Sequence, residues 1–271
     1  MSKRTGLVVA SCAVAVLLAA APARAIDPWE APPFPDDSSA TLNTLGHGGE
    51  QIHDLDQGGT ATNDVDWVTV PTLARHSYEV RLNNTSVQFD WGACTDCAQF
   101  ERVSAAGAIL TDDVSTVNEG GIESYDRSVR WIATANTTNE YVRITGHQDA
   151  TETSSSVYTL RYRDTTYSIP RWNHAGTQTT VVLVTNLTQN AVNVMVHFYG
   201  ATGSLLATAS YSLPPNALNV LSTASIPTLA GQSGHIHIAH TAGYGGLSGK
   251  AVALEPSTGF TFDTAMVPVS H

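Results

Sequence analysis

The stretch Asn63-Asp64-Val65-Asp66-Trp67-Val68-Thr69-Val70 decides the fold of this chain, because a run of turn residues gives way there to strand alternation. Asp64 and Asp66 stand one residue apart at the mouth of the strand, and the residues beyond them alternate with a period of two. Trp67 is large enough to plug a sandwich core. Two carboxylates on the lip of a strand are also a candidate cation site, since hard divalent ions take carboxylate oxygens. The bland alternative is that both acids end a turn and keep the edge polar.

Outward from this stretch toward the C-terminus, short strands follow at the density of a sandwich. Ser77 to Leu82 sets Tyr78, Val80 and Leu82 on one face. Val87 to Trp91, Phe100 to Val103, Ile109-Leu110, Arg127 to Ala133, Glu140 to Thr145 and Ser156 to Tyr162 continue the series. Asp164 to Gly176, which contains Pro170 and Trp172, reads as a domain boundary or as the start of a further strand. Beyond it Thr179 to Thr185, Val192 to Tyr199, Leu205 to Leu213, Gly234 to His240, Gly249 to Leu254 and Gly259 to Phe262 have the same character. Charged residues make up only 14% of the chain, which suits short strands with solvated outer faces, and no stretch carries a convincing 3.6-residue apolar period. The expected fold class is all-β, as two β-sandwich domains over residues 36–165 and 166–271.

In the other direction, Lys3 and Arg4, an apolar run from Leu7 to Ala21 and the small-x-small Ala23-Arg24-Ala25 form a secretory signal peptide over residues 1–25. A lipoprotein reading at Cys12 is disfavoured because the apolar run continues well past it. Residues 26–35, with Pro28, Pro32, Pro33 and Pro35 around Trp29, read as an extended linker. Glycine-rich turn material fills Gly46 to Gly59. Removing residues 1–25 takes away Lys3, Arg4 and Arg24 and no acid, so 13 basic residues become about 10 against 24 acidic ones. A chain near −14 lacks the basic patch that nucleic acid or anionic lipid needs, and divalent cations are its more natural partners. No later segment is apolar for the roughly 18 residues of a membrane helix. The expected product is exported, either secreted or held at the cell surface. Cys94 and Cys97 then remain as its only cysteines and read as a local disulfide tying a loop between strands.

Several of these motifs occur together in a known order. Asp64-Val65-Asp66-Trp67, then Ser77 to Leu82, Gly107 with Asp112 and Asp113 beyond it, Trp131, Tyr141-Val142-Arg143-Ile144 and Val157-Tyr158-Thr159-Leu160 follow the sequence of the bacterial pre-peptidase C-terminal domain. Asp36-Asp37-Ser38-Ser39-Ala40-Thr41 is similar to that family's opening, and the resemblance spans residues 36–165. It implies a jelly-roll-like β-sandwich of the kind appended to secreted peptidases and other exported proteins. It also implies a calcium site built from the N-terminal segment and the loop entering the Asp-x-Asp-Trp strand. By position, Asp36 and Asp37 would meet Asn63, Asp64 and Asp66. This chain has Asp where the family often has Glu-Pro-Asn, a departure within the ligand set itself.

Elsewhere His235 and His237 share one strand face at a spacing zinc enzymes use, with His240 or His197 as third-ligand candidates, although solvated strand histidines are the commoner outcome. No nucleophile elbow, His-Glu-x-x-His helix or glycine-rich phosphate loop is present. The sequence therefore points to an exported, non-catalytic binding or targeting module, calcium-stabilised, for an extracellular or cell-surface polymer. A structural subunit assembled by edge-strand pairing between copies is the alternative, and a metallohydrolase using His235 and His237 is a third.

Overall fold

The computed structural model describes Trp29 and residues 36–54, 65–83, 99–115, 126–145 and 157–269. The signal-peptide segment, the Pro-rich segment apart from Trp29, Asn63, Asp64, the Val87 to Trp91 strand, Cys94 and Cys97 lie outside the described residues. No α-helix occurs among the described residues, and the strands form four sheets arranged around two separate apolar cores.

In the N-terminal sandwich one sheet runs in the order β1 (Glu50–Asp54), β9 (Val157–Asp164), β3 (Ser77–Asn83), β7 (Arg127–Ile132) and β6 (Val114–Ser115). The facing sheet runs β2 (Val65–Thr72), β8 (Thr137–Thr145), β4 (Gln99–Val103) and β5 (Ile109–Asp112). The chain changes sheet at most connections, the jelly-roll-like winding expected of this region. Val68, Val70, Val80, Leu82, Phe100, Val142, Ile144, Tyr158 and Leu160 fill the space between the sheets. Their period-two placement follows from the alternation of Cβ directions along each strand.

Trp67 departs from expectation. It sits between the core residues Asp66 and Val68 in sequence, so the strand period turns its ring to the opposite face. There it is covered by Tyr141, edge-on at 6.0 Å, and by the Arg143 guanidinium 5.7 Å from the ring centroid. The residue delivered to the interior is Asp66, which is fully buried.

The C-terminal sandwich pairs β13 (Leu205–Leu213), β12 (Val192–Gly200), β15 (Ser233–His240), β10 (Tyr167–Asn173) and β18 (Val267–Pro268) in one sheet. The other sheet is β14 (Leu218–Ser222), β11 (Thr179–Asn186), β16 (Leu247–Glu255) and β17 (Phe260–Ala265). Trp172, Val182, Val184, Val194, Val196, Phe198, Ile236 and Ile238 make its core. The segment read as a boundary is thus largely a strand, β10. Its Pro170 is exposed and lies where the register against β15 shifts between Ile169 and Trp172, so the missing amide N–H interrupts no ladder bond.

The passage from one sandwich to the other takes only Thr165 and Thr166, which are both buried. Thr165 donates its N–H to Ser77 O, Ser77 donates its N–H to the Thr166 hydroxyl, and Val269 N–H reaches Thr166 O. His240 Nε2 sits 2.8 Å from Thr165 O, so the second sandwich grips the joint as well. Farther along the seam, Tyr244 N–H donates to Glu79, whose carboxylate also holds Arg130 at 3.0 Å.

Candidate functional site

Where β1 meets the start of β2, the interior of the N-terminal sandwich turns polar. β1 places Gln51 and His53 on its inward face and leaves Ile52 exposed, the reverse of ordinary strand patterning. β2 contributes Asp66 from the opposite sheet. Asp36 arrives from the N-terminal segment, which is fixed to β2 because Trp67 donates its N–H to Asp36 O at 2.7 Å.

Asp36, His53 and Asp66 each offer one ligand atom, all within 4.8 Å of one another. Asp36 and Asp66 are 0% exposed and His53 is 1% exposed, so water screens little of the charge. His53 Nδ1 faces Asp36 Oδ2 at 3.5 Å, and its Nε2 lies 3.3 Å from Gln51 Oε1. Gln51 in turn donates its Nε2 to Thr44 O at 3.3 Å, which leaves the amide oxygen for the imidazole. The ring is stacked between Tyr158 at 5.4 Å and Trp29 at 5.9 Å. Tyr158 also donates its hydroxyl to Asp66 Oδ2. Neither carboxylate oxygen of Asp36 has a hydrogen-bond partner among the described residues.

Of the expected cation ligands, Asp36 and Asp66 are brought together, from two segments. Asp37 is exposed and does not join the cluster, while Asn63 and Asp64 lie outside the described residues. His53 was not anticipated. Calcium takes six to eight oxygens, so the described donor set, two carboxylates and an imidazole nitrogen, differs in kind from a calcium cage.

The histidines singled out in the C-terminal half lie along the seam. His235 stacks on Tyr199 at 5.0 Å, and His237 packs against both His235 and His76. His197 is opposite His237 in the β12–β15 ladder and bonds Thr208 through Nδ1 at 2.9 Å. His240 is held through both nitrogens, with Nε2 at Thr165 O and Nδ1 accepting from Ala242 N–H. Burial pushes His197, His237 and His240 down to about 4, with neighbouring cationic groups acting in the same direction. Their ligand atoms do not converge, and among the described residues Asp36, His53 and Asp66 are the one group that does. His76 differs in having a carboxylate, with Nδ1 at 2.6 Å from Asp164 Oδ2, and this contact helps hold Asp164 below the usual carboxylate range against the opposing effect of burial.

A cleft of ≈ 640 Å³ opens on the N-terminal sandwich between Pro71–Leu73 and Asn136–Thr138, with Tyr78, Tyr162 and His47 in its lining. The Thr72 hydroxyl in this lining is buried and has no hydrogen-bond partner among the described residues. Among the described residues no helix is long and apolar enough to cross a membrane.

No family model matches the chain, and no curated protein is similar to it. A solved structure from Eubacterium rectale, of a protein inferred to be secreted, is similar at 9% identity and a TM-score of 0.28, covering 86% of this chain and 81% of that one.

Proposed function

We propose that the protein is an exported, non-catalytic binding module, with an N-terminal sandwich rigidified by a divalent cation and a surface that engages an extracellular or cell-surface polymer. The observation that carries this reading is the buried convergence of Asp36 and Asp66 with His53 at the end of the sandwich. A cation there would tie the N-terminal segment to both sheets at once. Calcium is the ion that the family resemblance implies. The surface for such a polymer is the cleft beside Leu73, whose largely apolar lining includes Tyr78 and Tyr162. A glycan and matrix-protein array probed with the purified protein tests this. Binding that Leu73→Glu abolishes supports it, and an array with no ligand above background overturns it.

A second reading, a subunit of an extracellular assembly, is favoured by one feature. Strand β17 lies at a sheet edge with Phe260 at 74% and Phe262 at 40% exposure, an edge suited to pairing with another copy. Size-exclusion over a hundredfold concentration range separates the two readings, because assembly requires an elution volume that moves with concentration.

A further inference from the structure

We infer that the ion held by Asp36, His53 and Asp66 is a first-row transition metal of the zinc class, ligated through His53 Nδ1 and one oxygen of each carboxylate. The inference rests on the cation-stabilised reading above and specifies its ion.

Three observations carry it. The first is the orientation of the imidazole. Gln51 is committed through its own amide N–H to Thr44 O, so its oxygen faces His53 Nε2 and selects the tautomer with hydrogen on Nε2. The Nδ1 lone pair is thereby turned toward Asp36. Metal-bound histidines carry this arrangement, the distal N–H given to a carbonyl while the other nitrogen binds the ion.

The second is distance. Nδ1 and Asp36 Oδ2 are 3.5 Å apart, longer than the usual N–H···O separation of about 2.7–3.2 Å. Two atoms each about 2.1 Å from a common tetrahedral centre are about 3.4 Å apart, so the gap fits an ion between them. The third is the Asp36 carboxylate, which is 0% exposed, lacks a hydrogen-bond partner among the described residues, and has an oxygen in the convergent set. Tyr158 orients Asp66 from the other side by donating to Oδ2.

The donor chemistry then chooses the metal. Imidazole nitrogen is a poor partner for calcium and magnesium and a good one for zinc, cobalt and nickel. Among the described residues the donors are one imidazole nitrogen and two carboxylates, a mixed nitrogen and oxygen set of the kind zinc takes.

The experiment is isothermal titration of chelator-treated protein with zinc sulfate and with calcium chloride, alongside the visible spectrum of the cobalt-loaded parent. One equivalent of zinc is expected to bind at least ~100-fold tighter than calcium. His53→Gln should lower zinc affinity by ~100-fold, and Gln51→Ala by 10–100-fold, with calcium binding unchanged in both. Cobalt absorption of tetrahedral intensity in the parent requires no variant to fold. Calcium binding that exceeds zinc binding and survives His53→Gln overturns the inference and leaves the cation-stabilised reading standing. Failure of either ion to bind, with a melting temperature indifferent to chelator, overturns both.

Discussion

Glu79 shows what a single side chain contributes to this molecule. Its carboxylate is 2% exposed and receives Arg130 from within the N-terminal sandwich and Tyr244 N–H from the C-terminal one. Breaking a buried pair leaves the remaining charge uncompensated, which costs more than the pair itself contributes. Glu79→Ala is therefore expected to lower stability by about 3–5 kcal/mol in urea denaturation, whereas Glu50→Ala, at the half-exposed pair with Arg161, should lower it by less than about 1 kcal/mol. Equal costs at the two positions would refute this. His53 teaches the complementary lesson about legibility. It stands in Gln51-Ile52-His53, where the lone apolar residue faces solvent and the two polar ones face inward. Hydrophobic alternation fails at such a place because the site inverts it. The signal available was two polar residues at i and i+2 beside a resemblance-derived cation site. Asp66 was found because it belongs to a motif, and His53 was missed because it belongs to none.

Strands of this chain were visible where valine, isoleucine and tyrosine alternate with polar residues, as in β3, β7, β8, β11 and β12. The element read as a boundary or the start of a strand, β10, carries a proline and a bulge, which blur a strand for pattern reading. β14 was missed, because its Leu218 and Val220 point outward at 53% and 58% exposure and its sequence follows Pro214-Pro215. Within β10 the Trp172 Nε1 spans two neighbouring strands, donating to Tyr199 O and His235 O at 3.0 Å each. Trp172→Phe keeps an aromatic ring while removing the donor and part of the buried volume, and should cost at least about 1–3 kcal/mol, read from the thermal midpoint. A stronger effect belongs to Gly234, opposite Gly200 in the β12–β15 ladder. A Cβ at Gly234 would lie 1.8 Å from the Tyr199 carbonyl oxygen, so backbone must move to admit it. Gly234→Ala is expected to cost about 3 kcal/mol or more, and a variant as stable as the parent would show that the two strands can separate freely.

At the scale of the whole molecule, the seam between sandwiches is rich in imidazole and poor in free carboxylate. The groups facing His237 are His76, His235 and His197, with Asp164 already engaged by His76 and Arg75 near His197. A histidine with its folded value depressed to about 4, against an ordinary value near 6.5, stabilises the fold fully above the ordinary value. That stability is lost as pH falls from about 6.5 toward about 4, because the unfolded chain takes up protons that the folded chain refuses. The melting temperature of the parent should drop across this window, and His237→Asn with His197→Asn should flatten the drop. A profile unchanged in the double variant would assign the acid sensitivity elsewhere. The general architecture, two stacks of antiparallel strands, was legible because period-two patterning survives over most of the chain. The seam was not, because it depends on which loops meet in space, and residues 79, 130 and 244 are too far apart in sequence to signal one another.

The joint at Thr165 and Thr166 has a mechanical consequence. A polypeptide hinge bends where its peptide groups face water, and here they are stitched to Ser77, Val269 and His240. The two sandwiches should therefore tumble together, and a pull applied to whatever the first sandwich grips would be transmitted as torque to the second instead of being absorbed as slack.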